Sequence, residues 1–511
     1  MVEIKNVSFR YYARGAAHPD MADNCLSGIN LTVQGGEFVL LTGPSGCGKT
    51  TILRLINGLI PHFYPGEVEG SILVSGKEIR GMELYETANL VGTVFQNPRT
   101  QFYNVDTSGE LAFGCENRGL PKEQIYERID RTVSSFGIEK LMDRSIFHLS
   151  DGEKQKIACA SVDVSGPDLI LLDEPSANLD FQATMALRDL IGTWRSQGKT
   201  IIAAEHRIAY LWDLINRAII LDNGQILRQL TRDELSSLSP EDLSRMGLRT
   251  NIMEAPEELA RMSNGANDRE APEDRARVGT SANGREAPKT NRLLDFEEHD
   301  EPLILRDFYF SYRGRKEPIL HIPQLRLAAH EITAVTGSNG LGKTTFLNCL
   351  CGLEKKCSGT LEYKGRRLGR KERQKLCYLV MQDTGNQLFT ESVLEEVLIS
   401  LPPNTKNEKE KAIQLLEQLD LGEYLDRHPQ SLSGGQKQRL AIACALASGR
   451  EILLLDEPTS GLDHRHMKET AALLKKLQEM GTTILVVTHD AELIHSCCSR
   501  MITKRNICQV S

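Results

Sequence analysis

The sequence predicts an α/β protein built as a tandem of two similar domains. Three observations carry that prediction. The chain has 511 residues, more than one ordinary domain holds. Its most distinctive segments occur twice in the same order. In each copy, short apolar runs of strand length lead into a Gly-rich turn and then a helix-like stretch.

The duplication orders the rest of the reading. GPSGCGKTT at 43–51 recurs as GSNGLGKTT at 337–345, and HLSDGEKQKIACA at 148–160 as SLSGGQKQRLAIA at 431–443. LILLDEPSANLD at 169–180 recurs as ILLLDEPTSGLD at 452–463, and AAEHR at 203–207 as VVTHD at 486–490. The copies lie 294 residues apart at Lys49 and Lys343 and 283 apart at Asp173 and Asp456. The expected organisation is a first domain over 1–242, a flexible acidic linker over 243–301 and a second domain over 302–511.

The linker is expected from composition. Residues 231–302 hold five prolines and one aromatic, Phe296, and ANDREAP at 266–272 reappears as ANGREAP at 282–288. Such a segment buries too little apolar surface to offset its ordering entropy. Thr231 to Met246, with TRDELSSL and SPEDLSRM, carries capping-type openings and is expected to start helically. The segment also holds most of the charge. Against 61 Lys+Arg and 69 Asp+Glu, a net of -8, residues 231–302 contribute ten basic and seventeen acidic side chains. A strongly basic nucleic-acid binder is thereby disfavoured. MVEIKNVSFRYYARG has no apolar core of a signal peptide, and no run approaches a membrane span. Twelve cysteines without a CxxC pair read as reduced thiols in a cytosolic protein.

Each copy contains GxxxxGK[ST]. EFVLLTG and EITAVTG read as buried strands before it, and TILRLINGLI and TFLNCLCGL as helices after it, the context of a P-loop. Gly43, Pro44, Ser45, Gly46, Cys47 and Gly48 lead to Lys49, Thr50 and Thr51. Gly337, Ser338, Asn339, Gly340, Leu341 and Gly342 lead to Lys343, Thr344 and Thr345. In this loop, backbone N–H groups and a helix N-terminus cradle phosphates. The lysines reach the β/γ oxygens, and Thr50 and Thr344 place a hydroxyl on Mg²⁺. Asp173 with Glu174, and Asp456 with Glu457, end apolar strands: the first carboxylate of each pair suits the Mg²⁺ shell, the second a general base for water. The expected cofactors are therefore ATP and Mg²⁺.

With these residues in view, the chain resembles the ATP-binding-cassette (ABC) ATPases over nearly everything outside the linker. LSGGQ, the family's signature, stands complete as Leu432, Ser433, Gly434, Gly435 and Gln436. The resemblance implies two nucleotide-binding domains, each with a mixed core sheet and a helical subdomain. It implies that Gln96 and Gln382 are Q-loop residues near the metal and that His206 and His489 are switch histidines on the γ-phosphate. Asp180 and Asp463 then close the D-loops, and Tyr11 and Tyr312 stack on adenine, unless one of the neighbouring aromatics there is simply core. It further implies head-to-tail sites. Site one would combine the first P-loop, Asp173, Glu174 and His206 with Ser433 to Gln436; site two would combine the second P-loop, Asp456, Glu457 and His489 with Ser150, Asp151, Gly152 and Glu153.

QNPRTQFYNVDTSGELAFGCENRGL is similar to a stretch of the ATPases that energise energy-coupling-factor (ECF) importers, and QDTGNQLFTESVLEEVLIS partly so. That resemblance implies uptake of a vitamin or other micronutrient from the cytoplasmic face of the membrane. The implied partners are a transmembrane scaffold and a substrate-binding membrane protein. The alternative is a soluble tandem ABC ATPase acting on ribosomes or DNA, which the acidic linker argues against. Two departures set further expectations. Asp151 replaces a signature glycine, bringing a carboxylate towards triphosphate, so site one is expected to carry most hydrolysis. Cys47 lies at a helix N-terminus, where a thiol can have a lowered pKa and react, or else serves as a passive small residue.

Overall fold

The computed structural model describes residues 1–12, 25–249, 303–313 and 318–503. The linker expected over 243–301 therefore lies outside the described residues from 250 onward. Its start does not: residue 243 falls inside the helix Pro240–Arg245, and Leu243 and Leu248 are buried in the first half's core. The packed chain thus runs to Arg249, beyond the expected boundary, because these leucines have apolar surface to bury. The expected capping signals are realised, with Thr231 and Glu234 closing one capping box and Ser239 and Asp242 another.

Each half has one mainly parallel sheet and one smaller antiparallel sheet. In the first, Arg217–Asp222, Phe38–Thr42, Thr200–Ala204, Leu169–Asp173 and Val91–Val94 form a parallel run, with Gln225–Thr231 antiparallel at one edge. A smaller antiparallel sheet is made of Leu26–Val33, Val2–Tyr11, Gly66–Val74 and Lys77–Glu78. The second half repeats this, with Cys377–Val380, Ile452–Asp456, Thr483–Val487, Ile332–Val335 and Arg500–Ile502 all parallel. Its antiparallel sheet is Leu320–Leu327, Leu303–Phe310, Ser358–Tyr363 and Arg366–Arg367. The run FVLLT is buried at all five positions, the pattern of a strand covered on both faces.

These sheets aim the Gly-rich turns. The strand Phe38–Thr42 feeds the turn that opens the helix Lys49–Ile56, and Ile332–Val335 does the same for Lys343–Leu350. Gly48 and Gly342 cap these helices at φ 104° and 87°, a backbone that L side chains rarely adopt. A Cβ at Gly43 would meet the Leu221 carbonyl oxygen at 2.1 Å, so this glycine is fixed by contact as well. The first helix stops sooner than the apolar stretch suggested: Gly58 turns to φ 76° and a separate short helix, Leu59–His62, follows. A helical layer of Thr107–Asn117, Lys122–Phe136 and Asp151–Ser165 packs at one end of the first sheet. Val393–Ser400, Glu408–Gln418 and Gly434–Ala447 are its counterpart. Among the described residues, no helix is long and apolar enough to cross a membrane.

Candidate nucleotide sites at the junction of the two halves

The halves meet through reciprocal contacts around the Gly-rich turns. Asp463 Oδ2 accepts from the backbone N–H of Ser45 at 2.6 Å, and Asp180 Oδ2 accepts from that of Asn339 at 2.6 Å. Each aspartate uses its other oxygen to cap its own helix, Asp180 on Ala183 N and Asp463 on His466 N. Hydrogen bonds to a charged acceptor stabilise by roughly 1.5–3 kcal/mol. Each turn is thereby registered against the opposite half. The two D-loops also touch, since Ser460 Oγ donates to the Ala177 carbonyl oxygen at 2.5 Å.

Site two is a cleft of about 350 Å³, walled on one side by Asn339, Gly340, Gly342, Lys343, Thr344 and Thr345. Ser150 and Asp151 of the first half form part of the other wall, with Asp456, Glu457 and His489 also in the lining. The head-to-tail arrangement is thus direct for these residues. At site one the opposite half contributes its D-loop: beyond the Asp463–Ser45 bond, a Cβ on Gly461 would lie 3.5 Å from Gln96 Nε2.

The signature segments have a local structural role. Ser150 and Ser433 are N-caps, and Glu153 and Gln436 close capping boxes by accepting from the serine backbone N–H at 2.8 and 2.9 Å. Glu153 also pairs with Arg144 at 3.0 Å, so Glu in place of Gln retains the cap and gains a partner. Gly152 lies where a Cβ would meet Ala183 Cβ at 2.8 Å, whereas Gly434 faces open space and Gly435 lies near His466.

The expected repulsion from Asp151 is corrected by its neighbours. Its carboxylate takes Arg99 Nη2 at 2.9 Å and Lys154 Nζ at 3.5 Å. Both cations line the site-two cleft as well. The position 283 residues on is Gly434, and the position that matches Arg99 from the paired glutamines is Gly385. Asp151 and Arg99 are therefore present together in the first half and absent together in the second, while Lys154 is matched by Lys437.

Thr50 Oγ1 donates to Asp173 Oδ1 at 2.8 Å, and Thr344 Oγ1 to Asp456 Oδ2 at 2.7 Å. Burial pushes the Asp173 carboxyl up to about 6 despite the Thr50 hydrogen bond, and raises Asp456 too. A buried carboxylate beside a hydroxyl, short of positive charge, is a fitting oxygen set for Mg²⁺. Lys49 Nζ is held by the Gly43 and Pro44 carbonyls at 3.0 Å each, and Lys343 Nζ by the Gly337 and Ser338 carbonyls at 2.6 and 3.3 Å.

Around the second carboxylates the halves diverge. Glu174 accepts from Gln96 Nε2 at 2.9 Å and faces His206 Nε2 at 3.2 Å. Burial alone would raise its carboxyl, but the His206 hydrogen bond and charge, with Lys49, hold it below the ordinary range. His489 instead accepts from Lys343 Nζ at 2.8 Å and lies 3.5 Å from Glu457. Burial, then the Lys343 charge, drives His489 down to about 3. Gln382 donates to Asn178 of the other half at 3.3 Å, and burial pushes Glu457 up to about 7. Both glutamates hold φ near +45 to +49°, a strained backbone that presents their carboxylates at the strand ends.

Tyr11 and Tyr312 point their hydroxyls at Thr51 and Thr345, 3.2 Å each, placing both rings beside the P-loop helices. For Cys47, burial raises the thiol pKa above its ordinary value, overriding Lys49, so the expected lowering does not occur. Nothing local in the sequence marks Arg99 or Arg249, because their partners lie in distant segments.

A family model described as ABC transporter matches residues 26–177 and 320–460. A putative ABC transporter ATP-binding protein of Treponema denticola is 41% identical over 504 residues, spanning 98% of this chain and 95% of that protein. Among solved structures, cbiO1 from Clostridium perfringens, described as part of the ABC transporter complex cbiONQ, is 25% identical with a TM-score of 0.41, over 52% of this chain and 96% of that one. RNase-L Inhibitor is 21% identical with a TM-score of 0.57, over 97% of this chain and 87% of that one, a likeness of fold.

Proposed function

Because this chain belongs to the ABC transporter family of ATP-binding proteins, whose activity is ATP hydrolysis, we propose that it is the ATP-hydrolysing subunit of a membrane importer. The reading is of the ECF kind: uptake of a vitamin or other micronutrient, with closure of two head-to-tail sites moving a separate transmembrane scaffold and a substrate-binding membrane protein. The chain then works at the cytoplasmic face of the membrane.

One observation carries the partner part of this reading. Tyr103 and Val105, in the segment that follows Gln96, are 79% and 63% exposed, and Phe147, in the turn before the helix Asp151–Ser165, is 75% exposed. The bond from Ile146 N to the Val105 carbonyl brings the two strips side by side. Polar residues of the same stretch hold the loop from within: Gln101 Oε1 accepts from Phe95 N, and Glu110 accepts from Tyr103 N and Asn104 N. Glu396 does the same for Phe389 and Thr390, and Phe389 is 73% exposed. Buried polar side chains thus fix loops whose aromatics are left outside, as a docking surface requires.

In each site the P-loop N–H groups and lysine hold the triphosphate. Thr50 with Asp173, and Thr344 with Asp456, would hold Mg²⁺, near Gln96 and Gln382; when bound, the ion neutralises phosphate charge. Glu174 and Glu457 orient and deprotonate the attacking water, His206 and His489 contact the γ-phosphate, and Tyr11 and Tyr312 flank the adenine. Ser150, Gly152, Ser433, Gly434, Gly435 and Gln436 belong to the segments that close on the nucleotide.

Tagged full-length chain, captured from detergent-solubilised membranes of its own organism, is expected to bring down a multi-span scaffold and a small membrane protein. Tyr103→Asp with Phe147→Asp is expected to abolish that capture while ATP hydrolysis by the purified chain persists. Ribosomal proteins in place of membrane proteins would overturn the reading.

A further inference from the structure

The end of the first half reaches into the second at one buried side chain. Arg249 is 5% exposed at its side chain, and every acceptor the structure gives it belongs to the other half. Nη1 donates to Asp490 Oδ2 at 2.6 Å, Nε and Nη2 to the Leu462 carbonyl at 3.1 and 2.6 Å, and Nη2 to the Thr459 carbonyl at 3.3 Å. Leu243 and Leu248 anchor this tail in the first half's core, and Ser244 adds bonds to His464 and Lys468 at 3.1 Å each. A Cβ on Gly247 would lie 3.1 Å from Pro44, so the tail runs along the first P-loop before Arg249 crosses over.

The first half has no need of such help at the equivalent place. There Glu205 takes the Ser176 hydroxyl, the N–H groups of His206 and Arg207, and Tyr210 Oη at 2.9 Å, all from its own half. In the second half, the residue matching Glu205 is Thr488, and the carboxylate moves two places on to Asp490. Asp490 takes Thr459 Oγ1 at 2.7 Å and caps the helix Ala491–Cys497, but its charge is met from the first half. Burial would raise this carboxyl; Arg249, and after it Arg207, bring it down to about 2.

We propose that Arg249 is a positioning residue that sets, from the first cassette, both the 459–463 turn and the His489–Asp490 segment of the second. The two groups it fixes serve different sites. The turn ends in Asp463, which holds Ser45 N of the first P-loop; His489 contacts Lys343 of the second. One guanidinium therefore bears on both ATP sites. Its planar fork makes four hydrogen bonds to three acceptors, one more than the three N–H groups of an ammonium can donate. The inference rests on the family's ATP hydrolysis and not on the transport reading.

The test is steady-state ATP hydrolysis by the purified full-length chain, with its melting temperature. Arg249→Ala is expected to lower kcat at least about tenfold, with KM changed less than about threefold, the signature of lost positioning at constant binding. Arg249→Lys is expected to recover less than half of the lost rate. Arg249→Ala with Asp490→Asn removes the stranded charge while keeping an oxygen for the helix cap, and is expected to restore the melting temperature but not kcat. Restoration of kcat along with the melting temperature would reduce Arg249 to a counter-charge and overturn the proposal. So would a kcat within twofold of wild type in Arg249→Ala, or a loss confined to KM.

Discussion

The two nucleotide sites share nearly every motif residue and differ in what those residues touch. At site one, Gln96 and His206 converge on Glu174. At site two, Gln382 turns to Asn178 and His489 to Lys343, leaving Glu457 with the His489 backbone N–H at 3.3 Å and the ring at 3.5 Å. The facing segment is a glycine at one site and Asp151, neutralised by Arg99, at the other. Repeated motifs therefore specify which groups are present, while their neighbours decide how those groups are aimed. The wall of site two is built from a pair of charges that the other site lacks.

The largest expected difference is in hydrolysis. Glu174→Gln is expected to reduce steady-state turnover about 100-fold, the scale of a lost general base. Glu457→Gln is expected to cost less than about threefold. Equal losses in the two variants would erase the distinction between the sites. A smaller effect separates Asp151 from its cation. Arg99 is 64% and Asp151 39% exposed at the side chain, so solvent screens the pair and its own contribution is about 1 kcal/mol or less. Arg99→Ala leaves the carboxylate facing triphosphate, and is expected to weaken binding of a fluorescent ATP analogue at site two several-fold, read in a Lys49→Ala background. Asp151→Gly in the same chain is expected to restore it. If the restoration fails, Arg99 acts on the nucleotide and not on Asp151.

The parts legible in the sequence are those whose chemistry depends on neighbours in the chain. Gly48 before Lys49, and Asp173 before Glu174, belong to local strand–turn–helix units, so their identities place them. Ser150 and Glu153 were legible as a signature segment, and the structure adds that they form a helix cap. What sequence did not yield depends on contacts between distant segments. The partner of Asp151 is 52 residues away, and Arg249 finds its acceptors 210 to 241 residues on, across the junction. Cys47 falls to the passive of its two readings for a related reason: helix position favours a thiolate, but burial set by strands far along the chain outweighs it.

The central expectation, which rests on Gln96 and His206 converging on Glu174 and not on repulsion from Asp151, is that turnover is concentrated at site one. Vanadate trapping of a photoreactive 8-azido-ATP on the wild-type chain, followed by mass-spectrometric mapping of the labelled peptides, tests it without mutation. The account predicts trapped product mainly on peptides around Tyr11 and the first P-loop. Equal labelling around Tyr312 and the second P-loop would contradict it.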